Sequence, residues 1–120
     1  MDIESFRAYC ISKPGVSEAL PFDNQTLVFK VMGKMLALTD VDLFTSVNLK
    51  CDPEEAVLLR ERYDGVLPGY HMNKQHWNTI VMDGSISDSL VTTWIDNSYD
   101  LVVAKLPKRD QAGLKESETK

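Results

Sequence analysis

Apolar residues recur at helical spacing near the start of the chain, where Ile3, Phe6 and Cys10 fall on one face. Asp2 precedes them as a cap for the free first-turn amides. Lys13-Pro14-Gly15 ends the pattern, because proline cannot continue a helix and glycine suits its exit. A loop through Leu20-Pro21-Phe22 and Asp23-Asn24 follows. β-Branched and aromatic residues then predict a strand from Thr26 to Met32, a two-residue hairpin loop at Gly33-Lys34, and a returning strand from Met35 to Thr39. Asp40-Val41-Asp42 turns the chain into a third strand, Leu43 to Leu49, which completes an antiparallel meander.

Asp52-Pro53-Glu54-Glu55 is the clearest local signal. Asp52 caps, Pro53 occupies the first helical position, and the two glutamates complement the positive end of the helix dipole. These carboxylates are helix-starting chemistry, not a catalytic pair. Ala56, Leu59 and Tyr63 form the buried stripe of that helix, and Asp64-Gly65 ends it. Val66 to His71 and Trp77 to Met82 read as a second hairpin turning at Asn73-Lys74 and closed by Asp83-Gly84. Its predicted register sets His71 opposite His76 and Tyr70 opposite Trp77. One side would carry Tyr70, Trp77, Thr79 and Val81, the other His71, His76, Asn78, Ile80 and Met82. Ser87-Asp88 opens the last helix, with Leu90, Val91, Trp94 and Ile95 as its stripe. Asn97-Ser98 is expected to interrupt it before Tyr99 to Ala104 continues. From Pro107 the chain turns polar, so residues 1–110 are expected to form one domain and 111–120 a flexible tail.

The predicted order, α-β-β-β-α-β-β-α, belongs to the α+β class: two layers, with helices on one mostly antiparallel sheet. Phe6, Leu27, Phe29, Leu36, Leu38, Leu59, Val81, Trp94 and Leu101 are its expected core.

Charge changes the picture. The 120 residues carry a net charge of −5, which counts against DNA binding by bulk electrostatics. The carboxylates are unevenly spread, however: none lies between Val66 and Met82, while His71, Lys74 and His76 do. The acidic start and apolar runs as short as Leu101 to Ala104 suggest neither a signal peptide nor a spanning helix. The expected setting is the cytoplasm, with no membrane partner. Cys10 and Cys51 lack a C-x-x-C or Cys/His context and read as reduced, partly buried thiols.

No G-x-G-x-x-G, P-loop, H-E-x-x-H or G-x-S-x-G sequence is present, so neither an enzyme nor a cofactor is expected. His71 and His76 lack a third ligand nearby, which argues against a metal. The second hairpin is the candidate nucleic-acid contact: His71, Asn73, Lys74, His76, Trp77 and Asn78. Lys74 and the amides beside it can reach phosphate, Asn78 can donate, and an exposed Trp77 could stack on a base. The competing reading puts Trp77 in the core, since large aromatics on alternating strands pack inward.

Several phrases carry a family resemblance: Tyr9-Cys10 through Lys13-Pro14-Gly15, Pro68-Gly69-Tyr70-His71-Met72-Asn73-Lys74, and His76-Trp77-Asn78-Thr79. Asp83-Gly84, Ser98-Tyr99-Asp100-Leu101-Val102 and Lys105-Leu106-Pro107 complete the set. The chain resembles the MmcQ/YjbR family of small bacterial proteins up to about residue 110. The resemblance implies an α-β(3)-α-β(2)-α fold similar to type III secretion chaperones. It also implies DNA binding, with two hairpins acting as wings, and it transfers no catalytic residue.

The leading expectation is therefore a nucleic-acid-binding module, for DNA or RNA. The alternative is a chaperone-like or other protein-interaction module using a sheet face or edge. A basic groove joining Lys74 to Lys34, Lys30 or the Lys105-Lys108-Arg109 cluster would favour the first, and an apolar dimerising surface the second. A deep pocket with a perturbed His71 or His76 would point to an enzyme.

Overall fold

The computed structural model describes residues 1–69 and 72–118. Asp2 caps α1 (Ile3–Ser12), its carboxylate accepting the Ser5 N–H at 2.8 Å. The chain continues through β1 (Val16–Ala19), β2 (Thr26–Val31), β3 (Lys34–Asp40) and β4 (Ser46–Lys50). Next come α2 (Pro53–Arg62), β5 (Val66–Pro68), β6 (Trp77–Val81), α3 (Asp88–Ala104) and α4 (Lys108–Glu118). The strands form a six-stranded sheet in the order β1-β2-β3-β4-β6-β5, antiparallel throughout. The α+β class and the meander are as the sequence suggested. The strand count is one higher than expected, because Gly15, at φ 77°, redirects the chain into β1.

The helices cover one face. Leu27, Phe29 and Val31 of β2, Val47 and Leu49 of β4, and Ile80 of β6 point into a core shared with Phe6, Leu59, Val91, Trp94 and Ile95. Phe6 meets Phe29 edge-on at 5.6 Å. Val81 and Leu101, expected in this core, are only half-buried. Leu36 is inside it because of a bulge: Phe29 pairs with Ala37 and Lys30 with Met35, so Leu36 is the extra residue.

Several boundaries differ from expectation. The first hairpin turns at Met32-Gly33, both at positive φ (49° and 80°), so Val31 pairs with Lys34. Helix α3 runs unbroken through Asn97-Ser98. Ser98 is buried, and its hydroxyl lies 2.5 Å from the Lys50 carbonyl and 2.9 Å from that of Trp94 one turn back, so it is satisfied without breaking the helix. Beyond Pro107, where no element was expected, α4 follows, and its Leu114 is buried against Gly15 and Val31.

Candidate functional site

Among the described residues, the second hairpin pairs Val66–Pro68 with Asn78–Ile80. Pro68 pairs with Asn78, and the Gly69 N–H donates to the Trp77 carbonyl at 3.0 Å, one residue out of the expected register. The physical reason is steric: a Cβ on Gly69 would lie 2.8 Å from the Trp77 Cβ, so the chain sets its glycine opposite the tryptophan. The Met72 N–H donates to the Gly69 carbonyl and the His76 N–H to that of Asn73. Met72 then packs on a small apolar cluster, Val28, Leu38 and Trp77, on the sheet face away from the helices. Arg60 of α2 ties this loop down by donating to the Lys74 carbonyl (2.9 Å) and to Asn78 Oδ1 (3.2 Å).

Two of the expected contact residues are therefore interior. Trp77 is 4% exposed and cannot stack on a base as it stands. Asn78 is 2% exposed, and its amide donates to the Ala56 carbonyl, so it braces α2 instead of facing solvent. Asn73 and Lys74 are exposed at the loop and His76 is half-buried. The Asn73 carboxamide accepts the Gln75 N–H and shapes the turn. His71 and Tyr70, and with them the expected His71–His76 and Tyr70–Trp77 pairs, lie outside the described residues.

A different cationic site lies beside Trp77. Lys34 at the first hairpin, Lys50 at the end of β4 and Lys105 at the end of α3 line a cleft of about 400 Å³. Its apolar walls include Met35, Trp77, Leu101 and Leu106, and among the described residues no carboxylate lines it. Strand register explains the placement, since Lys50 pairs with Trp77 and its ammonium sits 5.3 Å from the ring centroid. Burial lowers the Lys50 pKa, and the nearby charge of Lys105 lowers it further. Among the described residues, ion pairs engage Arg7 with Glu18, Lys13 with Asp96, and the N-terminus with Asp88, and none involves these lysines. Lys34 and Lys105 were candidates for a groove from the sequence. Lys50 was not, and Lys74 does not line the cleft.

A second cleft, of about 480 Å³, lies between the start of α2 and the middle of α3. Its floor is apolar (Leu49, Leu59, Ile80, Trp94) and its rim carries Asp52, Glu55 and Asp100. Cys51 lines it, but burial, with Glu55 and Asp52 adding, pushes this thiol up to about 11. Cys10 is pushed up to about 12 by burial, with Glu18 adding. Both are therefore protonated at neutral pH and poor nucleophiles. Among the described residues no group of three or more His, Cys, Asp or Glu is placed to hold a metal.

The phrases that carried the resemblance mostly build structure. Tyr9 donates to Asp96 at 2.7 Å, Lys13 pairs with the same carboxylate, and Tyr99 donates to the Pro14 carbonyl at 2.6 Å. Together these bonds clamp the end of α1 to α3.

Fold and clefts together define a small two-layer α+β domain with a helix-covered antiparallel sheet. The YjbR family profile matches residues 11–101, and the chain belongs to that family. It is 37% identical over 109 residues to the YjbR protein of Escherichia coli K12, spanning 90% of this chain and 92% of that one. YyaQ of Bacillus subtilis is 35% identical over 75 residues, or 62% of this chain and 63% of YyaQ. Among solved structures, DR2400 of Deinococcus radiodurans, a DUF419 domain, superposes with a TM-score of 0.87 at 38% identity. That match covers 94% of this chain and 87% of DR2400. Among the described residues no helix is long and apolar enough to cross a membrane.

Proposed function

We propose that the domain is a non-enzymatic nucleic-acid-binding module whose contact is the Lys34/Lys50/Lys105 cleft and the adjoining loop, not a projecting wing. One observation carries this reading. In a chain of net charge −5, three cations from separate elements converge where, among the described residues, no carboxylate lines the surface. The loop joins this surface directly, because the Cys51 N–H donates to the His76 carbonyl and places Lys50 and Trp77 beside it. Phosphates would engage the lysines, with Asn73, Lys74 and His76 at the margin. Such contacts position a strand without reading its sequence. The same reading sets the protein in the cytoplasm.

With two to four phosphates neutralised, the log–log salt slope is about −2 to −4. The test is fluorescence anisotropy with labelled single- and double-stranded oligonucleotides at two salt concentrations. Lys105→Glu and Lys74→Glu should each weaken binding to all sequences alike. No binding at roughly tens of micromolar protein, within the range of ordinary non-specific affinity, would overturn the proposal.

A protein-interaction role is the second reading, favoured by Val57 and Leu58, which stand 45% and 58% exposed on α2. A partner held there would be lost on Leu58→Lys while oligonucleotide binding stayed unchanged.

A further inference from the structure

We infer that the Lys34/Lys50/Lys105 cleft is a binding site for a small amphipathic anion, an apolar ring or short acyl body bearing one carboxylate or phosphate. This goes beyond the nucleic-acid reading: it concerns the hollow between the lysines and does not require a polymer. Phosphates along a strand need only surface cations, whereas this site is concave and mostly apolar. Its volume of about 400 Å³ lies within the range of roughly 300–1,000 Å³ typical of small-ligand pockets. Met35, Leu101 and Leu106 offer the apolar body a wall that removes it from water, and Trp77 closes one side.

The charged end is equally well provided. Lys50 is positioned at both ends: its carbonyl is within hydrogen-bond distance of the Ser98 hydroxyl, and its ammonium rests over Trp77. Lys105 sits at the C-terminus of α3, where exposed carbonyls would ordinarily repel an anion. Here those carbonyls are occupied: the Lys105 N–H reaches those of Val102 and Val103, and Leu106 N–H donates to that of Val103. Gln111 of α4 donates to the Leu106 carbonyl at 2.8 Å and approaches that of Ala104. A bound anion would also offset the repulsion between Lys50 and Lys105 that lowers the Lys50 pKa.

Trp77 lines this cleft and Trp94 the neighbouring one, so each can be trimmed separately. The probe is 8-anilinonaphthalene-1-sulfonate, followed by its own emission on binding. Trp77→Phe, which trims a wall of this cleft, should weaken binding and Trp94→Phe should leave it. Lys50→Met, which removes the charge and keeps an apolar stem, should weaken binding at least about tenfold, as expected for a lost charged contact. Lys105→Ala, at an exposed helix end, serves the same purpose if Lys50→Met fails to fold.

Displacement by decanoate or by adenosine monophosphate supports the site and distinguishes an acyl carboxylate from an aromatic phosphate. Displacement by neither overturns it. So does inorganic phosphate competing as well as both, or a signal that depends on Trp94 and ignores the lysines. The two proposals fail separately. Oligonucleotide binding indifferent to Lys50→Met and Lys105→Ala, with probe binding lost, refutes only the nucleic-acid reading. The opposite pattern refutes only this one.

Discussion

Asn78→Ala separates a structural asparagine from a ligand-binding one. In the folded protein its Nδ2 donates to the Ala56 carbonyl at 3.2 Å, and its Oδ1 accepts from Arg60 Nη1 at 3.2 Å. A neutral hydrogen bond contributes about 0.5–1.5 kcal/mol and one to a charged group about 1.5–3 kcal/mol. Both bonds lie at the long end of the normal range, and Arg60 is partly exposed, so water can replace some of what it loses. The expected loss is about 2 kcal/mol. In a domain of this size that is roughly 6–10 °C in Tm. Because Arg60 also holds the Lys74 carbonyl, the variant should loosen the 72–76 loop and speed amide exchange at His76. Urea denaturation of Asn78→Ala, Arg60→Ala and the double variant completes the cycle. The coupling between the two sites should be about 0.5–1.5 kcal/mol. A loss below about 0.5 kcal/mol would refute the bracing role, and strict additivity would refute the Arg60 bond.

Gly15→Ala places a Cβ where Leu114 now lies and asks an L-residue to hold φ 77°, so it should cost about 1–3 kcal/mol by urea denaturation. Full stability would mean that α4 does not dock as described. Cys10, pushed up to about 12 mainly by burial, is kept protonated by folding against an unfolded value near 9.0. The stability this confers is complete below about pH 9 and is lost as pH rises toward 12. The wild-type advantage over Cys10→Ala should therefore shrink between pH 8 and 10, and a constant difference would contradict the assignment. Burial alone would raise the Asp96 pKa, but hydrogen bonds from Lys13 and Tyr9 outweigh it and leave the group lowered. Its contribution is present above the ordinary carboxylate value of 3.8 and is lost on acidification. Lys13→Ala should raise the Asp96 midpoint in an NMR titration, and an unmoved midpoint would show that Lys13 does not set it.

What the sequence showed of the fold was what is encoded locally. Asp52 accepts the Glu54 and Glu55 N–H groups, as a cap followed by Pro53 predicts, because every partner lies within three residues. The elements that escaped notice depend on distant residues. Val16-Ser17-Glu18-Ala19 has little strand character of its own. It becomes β1 because it can pair with β2, with Arg7 of α1 bound to Glu18. Helix α4 is polar and rests on Leu114, whose seat is Gly15 at the other end of the chain. The second hairpin slipped by one residue for a related reason: its long connection has no two-residue turn to fix register, and the fit of Gly69 to Trp77 fixes it instead.

That slip and one strand boundary also decided how much of the site was visible. Ending the third predicted strand at Leu49 left Lys50 outside any element, with no reason to pair it with Trp77. In fact β4 reaches Lys50, and alternation puts its ammonium on the same face as the indole. Lys34 and Lys105 could be named from the sequence as possible groove residues, but only the fold could bring residues so far apart to one hollow. The net charge of −5 was sound evidence of a limited kind. It argues against a broad electrostatic footprint, since carboxylates elsewhere would repel a long polyanion. It does not argue against a short contact made where carboxylates are absent. Under the proposals above, a cleft lined by three lysines meets both conditions, so a ligand with one or a few negative charges is expected to bind there more tightly than an extended duplex.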